Sequence, residues 1–301
     1  MCPITVDVCL IDLDGTIVDT TDAVEAAWNK LADKHEVDGA HISKDSHGRR
    51  ASETFSHYFP KVDNTAVVRE FERALFSQSH YVGLIPGAND LLLSLNRPTG
   101  GKPGEVFRDI KWAIVTSATP SLAHSWFDTI LKKIGKPKVF ITSADVSKGK
   151  PDPEGFQKAK EQLANVLGLD KDRARAVVFE DSPLGIRAAK AMAAIAVGIT
   201  SSYSKDILYK SGADYVIEDL AQVSVVANDK DGITLEITGS MDRDSEDDGD
   251  YFDEEDEYEE DDDAYDDDDD DDDADVDDDN NNNNNNEPAA AKSNGKAADK
   301  K

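Results

Sequence analysis

The chain has 301 residues and a formal net charge of −30, most of which lies in its C-terminal segment. Residues 1–240 contain 33 acidic and 28 basic residues (−5), whereas residues 241–301 contain 30 and 5 (−25), and the two parts sum to −30. An acidic body with an acidic tail excludes a general nucleic-acid binder, which needs cations for the phosphates, and no apolar run reaches the roughly 18 residues that span a bilayer. No basic stretch precedes the first apolar segment, and only two cysteines are present, so we expect neither a secretory signal nor a disulfide scaffold. The expected location is the cytoplasm, with the nucleus as a candidate for a second location.

The body alternates short apolar runs with helical patterns. A strand is predicted over 5–11 and a helix over 22–35, followed by a weakly patterned helical stretch to about residue 83 and a helix that begins after Pro86-Gly87. Further strands, each followed by a helix except the last, are predicted over 112–116, 138–142, 175–180, 194–199 and 214–217. Such alternation predicts an α/β fold with a parallel sheet covered on both faces. Residues 223–237 then predict a hairpin with its turn at 228–232.

Polar residues that can carry chemistry follow the successive strands. The first strand runs into Asp12-Leu13-Asp14-Gly15-Thr16 and the second into Thr116-Ser117, while Lys150 lies after the third and Glu180-Asp181 closes the fourth. Ligands of parallel α/β sheets bind at the carboxyl ends of the strands, so we expect these side chains to meet at one edge. Each element alone is also compatible with an ordinary solvated loop or a helix cap.

In this order, the motifs that follow the strands resemble those of the haloacid dehalogenase-like superfamily of phosphatases and phosphomutases. Further stretches resemble the fungal 2-deoxyglucose-6-phosphate phosphatases, of which the glycerol-3-phosphate phosphatases are close relatives; they include SHGRR, LIPGA, GKPDPEGF, VVFED and GITSSY. The resemblance implies a Rossmann-like core over residues 1–20 and 84–240. It also implies an inserted helical cap over 21–83 that closes over the site.

The resemblance assigns roles that fit the chemistry of each residue. Asp12 is the expected nucleophile, which forms an acyl phosphate, and Asp14, two residues on, is the expected general acid and base. Thr116 and Ser117 are expected to hold phosphoryl oxygens. Lys150 is expected to neutralise the developing charge, with Lys148 as the competing lysine.

Mg²⁺ is the expected cofactor, because it prefers a few oxygen ligands together with water and phosphate. By resemblance, its ligands are the Asp12 side chain, the Asp14 backbone carbonyl and Asp181, with Glu180 in direct or water-mediated contact. The alternative for Glu180-Asp181 is a cap for the helix that follows.

In the predicted cap, the substrate-binding residues are expected to be His47, Gly48 and Arg50, and Arg50 is favoured over Arg49. The alternatives are a structural hydrogen bond for His47 and a solvated face for the arginine. Ala118 stands where many relatives have glycine, so a positive φ there would force the phosphate loop to adjust.

The expected function is hydrolysis of a small phosphorylated sugar, with glycerol-3-phosphate or another polyol phosphate as the alternative. A phosphomutase and a non-enzymatic acidic interaction protein are further alternatives.

The tail contains 28 acidic residues between 242 and 279 and then seven asparagines. Its repelling charges and few apolar residues predict disorder over 241–301. A solubilising extension is the simplest interpretation. The alternatives are contact with basic proteins and autoinhibition, in which the tail carboxylates compete for Mg²⁺ or repel an anionic substrate.

Overall fold

The computed structural model describes residues 3–35, 39, 42, 46–60, 62–77, 82–102 and 104–243. The chain divides into two units, residues 1–247 and 248–301, and the described residues belong to the first. The predicted acidic tail therefore lies outside the described residues, apart from residues 241–243. Two of those three still contact the body, since Met241 N donates to Val216 O at 2.8 Å and the Arg243 guanidinium donates to Ala213 O at 2.9 Å.

Strands and helices alternate along the body as the apolar patterns predict. The strands are β1 (Ile4–Val6), β2 (Val8–Ile11), β3 (Val18–Asp19), β4 (Gly83–Leu84), β5 (Trp112–Val115), β6 (Phe140–Ile141), β7 (Ala176–Glu180), β8 (Ile195–Ile199), β9 (Tyr215–Ile217), β10 (Val223–Asp229) and β11 (Gly232–Ile237). The helices are α1 (Thr21–His35), α2 (Ala51–Tyr58), α3 (Asn64–Ser77), α4 (Ala88–Leu95), α5 (Pro120–Asp128), α6 (Glu154–Leu167), α7 (Pro183–Ala191) and α8 (Lys205–Lys210). None of the described helices is long and apolar enough to cross a bilayer.

Six of the described strands form one parallel sheet in the order β6-β5-β2-β7-β8-β9. Both faces are covered, because alternate residues of β2 enter two different apolar clusters. Cys9 and Ile11 pack on the side of α4 and α5, whereas Val8 and Leu10 pack on the side of α6 and α7. Buried central strands with continuous apolar runs are typical of such sheets, and the predicted α/β class is confirmed.

The first predicted strand is wrong in one respect, because residues 5–11 form two strands that belong to different sheets. β1 pairs antiparallel with β11, which pairs with β10 in the predicted hairpin. The break lies at Asp7, whose carboxylate accepts hydrogen bonds from the Arg175 backbone N–H at 2.7 Å and from its guanidinium at 3.0 Å. The chain therefore changes sheets where a local ion pair holds it.

Helices α1 to α3 lie between β3 and β4, inside the segment predicted as a cap. β3 and β4 pair antiparallel, so the outgoing and returning chain run side by side. The three helices share an aromatic centre, in which the ring of Trp28 lies 4.9 Å from that of Phe55 and 4.4 Å from that of Phe71. Packing of this kind gives the inserted helices their own small core.

Candidate active site

The carboxyl edge of the sheet brings together Asp12, which follows β2, Lys150, which comes after β6, and Glu180, the last residue of β7. Lys150 Nζ donates to Asp12 Oδ1 and to Glu180 Oε1, the latter at 2.5 Å. The side chains are 7% exposed for Lys150, 8% for Asp12 and 0% for Glu180. A buried lysine thus bridges two buried carboxylates. Burying any of these charges without a partner would be costly, so the three groups stabilise one another.

The charges of this cluster shift the pKa values of its members. Burial raises the pKa of Asp12 well above its usual value; Lys150 opposes this, while the like charges of Glu180 and Asp181 add to it. Burial lowers the pKa of Lys150, but the attraction of Asp12 and Glu180 outweighs it and raises that pKa. Lys150 is therefore a permanent cation beside Asp12.

Glu180 contacts both Lys150 and Ser182, the residue just before α7. Its Oε2 accepts hydrogen bonds from Ser182 N at 2.7 Å and Ser182 Oγ at 2.9 Å. Ser182, not Glu180 or Asp181, caps α7, because its Oγ accepts from Gly185 N at 3.0 Å. The capping role considered for Glu180-Asp181 thus belongs to their neighbour.

Asp14 faces the cavity next to Asp12. Its Oδ2 accepts a hydrogen bond from Thr116 Oγ1 at 3.3 Å, while its buried Oδ1 has no hydrogen-bond partner among the described residues. Burial raises the pKa of Asp14 to about 6, although the neighbouring Trp126 and Thr116 act in the opposite direction. A carboxyl group with this pKa exchanges protons near neutral pH, as a general acid and base requires.

Asp181 is surrounded by donors from the inserted segment and from the loop after β8. Its Oδ2 lies 2.7 Å from His47 Nε2, 2.6 Å from Ser202 Oγ and 3.4 Å from Ser201 Oγ. Burial alone raises the pKa of Asp181, but His47 and Ser202 bring it below its usual value. Burial lowers the pKa of His47, but Asp181 overrides this and raises it to about 9. The two serines belong to the GITSSY stretch, which sequence analysis singled out by resemblance without giving them a role.

Two glycines allow the loops to approach one another this closely. A Cβ on Gly15 (φ 84°) would lie 1.9 Å from Asp181 Oδ2, and one on Gly48 (φ 84°) would lie 2.5 Å from Ser182 Oγ. The Gly48 carbonyl also accepts a hydrogen bond from Ser117 Oγ at 2.8 Å. The hydrogen bond from the Ser117 hydroxyl to Gly48 therefore joins the core to the insert.

Arg50 lies outside the cavity that holds Asp12. Its guanidinium binds the Glu53 carboxylate three residues on and donates to the carbonyls of Val146 and Ser147, each at 3.1 Å. Arg49, which the sequence analysis ranked below Arg50, lines the cavity instead. In this structure Arg50 joins the insert to the core.

The phosphate loop needs no glycine at position 118. Ala193 has the only positive φ among the described non-glycine residues, so Ala118 is accommodated without strain. Its N–H donates to Thr116 Oγ1 at 3.0 Å, which fixes the loop just after β5.

A cavity of about 100 Å³ opens beside Asp12 and Asp14. Thr116 and Ser117 line its core side, and α1 and α3 close it from the insert. Some of its wall is apolar and was not predicted, because the sequence pattern identified these residues only as helical; it includes Val24, Trp28, Phe71 and Leu75. The inserted helices thus shape the space in which a bound molecule meets Asp12.

The donor set fits a hard divalent cation. Four carboxylates lie here, but only two cationic groups, those of Lys150 and His47, contact them. The carboxylates are those of Asp12, Asp14, Glu180 and Asp181. The buried Oδ1 of Asp14 has no hydrogen-bond partner among the described residues and is an acceptor that a cation could use. Within the described residues, however, no three such side chains are already arranged as a metal cluster.

Comparison with known proteins identifies relatives of this chain. The family model described as haloacid dehalogenase-like hydrolase matches residues 6–193. The Saccharomyces cerevisiae protein named 2-deoxyglucose-6-phosphate phosphatase 2 is 52% identical over 244 residues, covering 80% of this chain and 98% of that protein. The protein named glycerol-1-phosphate phosphohydrolase 2, from the same yeast, is 33% identical and covers 73% of this chain and 85% of its own length.

Among solved structures, a hydrolase from Pseudomonas syringae has a TM-score of 0.57 at 25% identity, covering 71% of this chain and 94% of that one. This likeness shows a shared fold over the covered part of the two chains. Together with the family match and the yeast relatives, it leads to one conclusion. The chain belongs to the haloacid dehalogenase-like hydrolase family.

Proposed function

We propose that this hydrolase removes the phosphoryl group from a small phosphorylated sugar, with Asp12 as the nucleophile and Mg²⁺ as the cofactor. The observation that carries the proposal is the buried Asp12, held by Lys150 at the end of β2 and facing a cavity shared with Asp14. Carboxylates so placed suit phosphoryl transfer, in which a nucleophile, a cation and a proton donor converge. The filled catalytic positions and the family membership favour an enzyme over an acidic interaction protein.

The relatives guide the choice of substrate. A phosphorylated hexose is the first candidate, because the 52% identical yeast protein is named for 2-deoxyglucose 6-phosphate. A phosphorylated polyol is the second, because the 33% identical relative is named for glycerol 1-phosphate. The sequence resemblance implies glycerol 3-phosphate as an alternative substrate, so both glycerol phosphates belong in a test.

The residues support a two-step reaction. A carboxylate oxygen of Asp12 attacks phosphorus, the bond from phosphorus to the ester oxygen breaks, and the departing oxygen takes the proton of Asp14. Asp14, now a carboxylate, then accepts a proton from water as that water attacks phosphorus. The bond from Asp12 to phosphorus breaks, inorganic phosphate leaves, and both aspartates return to their starting states. Throughout, Lys150 balances the negative charge beside Asp12.

Mg²⁺ would be held by the side chains of Asp12 and Asp181 and by the backbone carbonyl of Asp14. When bound, it would neutralise phosphoryl oxygens and hold the phosphate in place. Glu180 would act indirectly, since its oxygens already bind Lys150 and Ser182.

A panel of phosphate esters tests the proposal. Phosphate release would be measured from 2-deoxyglucose 6-phosphate, glucose 6-phosphate, both glycerol phosphates, a hexitol phosphate and p-nitrophenyl phosphate. We expect turnover of at least one sugar or polyol phosphate. Chelation with EDTA should lower the rate at least about 100-fold, and added Mg²⁺ should restore it. Full activity in EDTA would refute the metal requirement, and no release from any ester would refute the phosphatase. Conversion of glucose 1-phosphate to its 6-phosphate without release would indicate a mutase instead.

Asp14→Asn tests the proton transfer. For a sugar phosphate, whose alcohol is a poor leaving group, we expect kcat to fall about 10²- to 10⁴-fold. With p-nitrophenyl phosphate the leaving group needs no acid, so the variant should release a burst of p-nitrophenol equal to the enzyme and then turn over slowly. The control is Asp128→Asn, at the exposed end of α5. Equal losses on both substrates with no burst would argue against this role for Asp14.

A further inference from the structure

Two cavities beside the inserted helices share three lining residues, Glu72, Thr119 and Leu122. The inner one, of about 100 Å³, contains Asp12 and Asp14. The outer one is an open groove of about 1110 Å³ along α3 and the start of α5. Glu72 of α3 and Thr119, which precedes α5, line both cavities, and the Thr119 hydroxyl donates to Glu72 Oε1. This pair is therefore part of the partition between the two spaces.

The inner cavity is small for a whole sugar phosphate. Sites for small molecules usually have volumes of roughly 300–1000 Å³. With the phosphoryl group at Asp12, the alcohol part of a substrate needs more room than about 100 Å³ provides. The adjoining groove offers that room, and the Glu72–Thr119 pair stands beside the route to it.

The chemistry around Glu72 suits a polyhydroxylated group. A carboxylate is an acceptor only, so it matches hydroxyl donors and repels a phosphate. Burial raises the pKa of the half-buried Glu72, against the hydrogen bond from Thr119. The lining of the inner cavity also includes the apolar side chains of Trp28, Phe71 and Leu122, which can cover the C–H groups of a sugar or polyol. The lining thus offers both an acceptor for hydroxyl groups and apolar surface for carbon.

We infer that Glu72, positioned by Thr119, binds hydroxyl groups of the alcohol part of the substrate and so determines specificity. The inference rests on the proposed function and adds to it the residue that distinguishes a sugar or polyol phosphate from other phosphate esters. Glu72 takes no part in breaking the phosphate bond. Its loss should therefore act on substrates with hydroxyl groups and leave other esters nearly unaffected.

The experiment compares Glu72→Leu and Glu72→Gln with wild type in the full-length chain. The two substrates are 2-deoxyglucose 6-phosphate, or the best sugar or polyol phosphate of the panel, and p-nitrophenyl phosphate, which has no hydroxyl group. For Glu72→Leu we expect kcat/KM to fall about 10- to 100-fold on the sugar ester, mainly through KM, and to stay within about threefold on the aryl ester. Glu72→Gln, which keeps an acceptor oxygen of the same reach, should recover part of the loss.

Glu70 provides the matched control, because it lies on the same helix but binds Lys34 at 2.7 Å instead of lining either cavity. Glu70→Leu should leave the ratio of the two kcat/KM values unchanged. An equal loss on both esters in Glu72→Leu, or an unchanged sugar ester, would overturn the inference while wild-type turnover still supports the phosphatase. Wild type that cleaves neither ester would overturn the proposed function and this inference with it.

Discussion

Asp12→Asn will abolish phosphate release, with kcat lowered at least about 10⁴-fold, because the amide cannot form the acyl phosphate on which the reaction depends. Asparagine has nearly the same shape, so the buried position is refilled and the second partner of Lys150, Glu180, is retained. Initial rates on the best ester of the panel measure the effect, and a thermal melt shows that the variant is folded.

The control for this variant is Asp128→Asn, an exposed aspartate replaced in the same way. It should keep the wild-type rate. An Asp12→Asn protein that stays within tenfold of wild type would show that another group attacks phosphorus, and the proposed reaction would have to be abandoned.

Lys150→Met will lower both stability and activity. Removing the lysine leaves Asp12 and Glu180 buried without their cation, and breaking a buried ion pair in this way costs about 3–5 kcal/mol of unfolding free energy. For a domain of this size that corresponds to a Tm lower by roughly 6–20 °C. A melt in EDTA measures the loss, since bound Mg²⁺ would offset part of it. Phosphate release should fall about 10²-fold or more, because charge developing on the phosphoryl group loses its neutralising partner.

A second substitution separates the two effects. Glu180→Gln in the Lys150→Met background removes one of the stranded charges, so it should restore part of the Tm without restoring the rate. Lys148→Met, at the exposed competing lysine, should change neither. A Lys150→Met protein as stable as wild type would show that the ion pair does not hold the site together. A large loss in Lys148→Met would transfer the role to that lysine.

The sheet and its catalytic edge were predictable because local patterns determine them. Apolar strands separated by helices allow few arrangements, and residues that follow parallel strands are brought to one edge. The positions of these residues in the sequence therefore indicate that they lie together at this edge. They are Asp12, Thr116, Lys150 and Asp181. The contacts of Lys150 with both Asp12 and Glu180 add detail to this pattern but do not change it.

What was missed depends on contacts between distant parts of the chain. The first strand divides at Asp7 because Arg175, 168 residues away, binds its carboxylate, and a periodic pattern carries no trace of such a partner. Arg50 was favoured as a substrate contact, although Glu53 at i+3 offered a local partner that could have been read from the sequence. Glu72 gave no signal at all, since its meaning arises only where α3 faces Thr119.

The covalent intermediate on Asp12 is the central claim, and acid-quenched mass spectrometry tests it most directly. Asp14→Asn, which should slow the second step, would be mixed with p-nitrophenyl phosphate and Mg²⁺, quenched in acid and digested. We expect one phosphoryl group per chain on the peptide that contains Asp12, and none when Asp12→Asn is added. A p-nitrophenol burst without a phosphorylated peptide, or a phosphoryl group on another residue, would contradict the account.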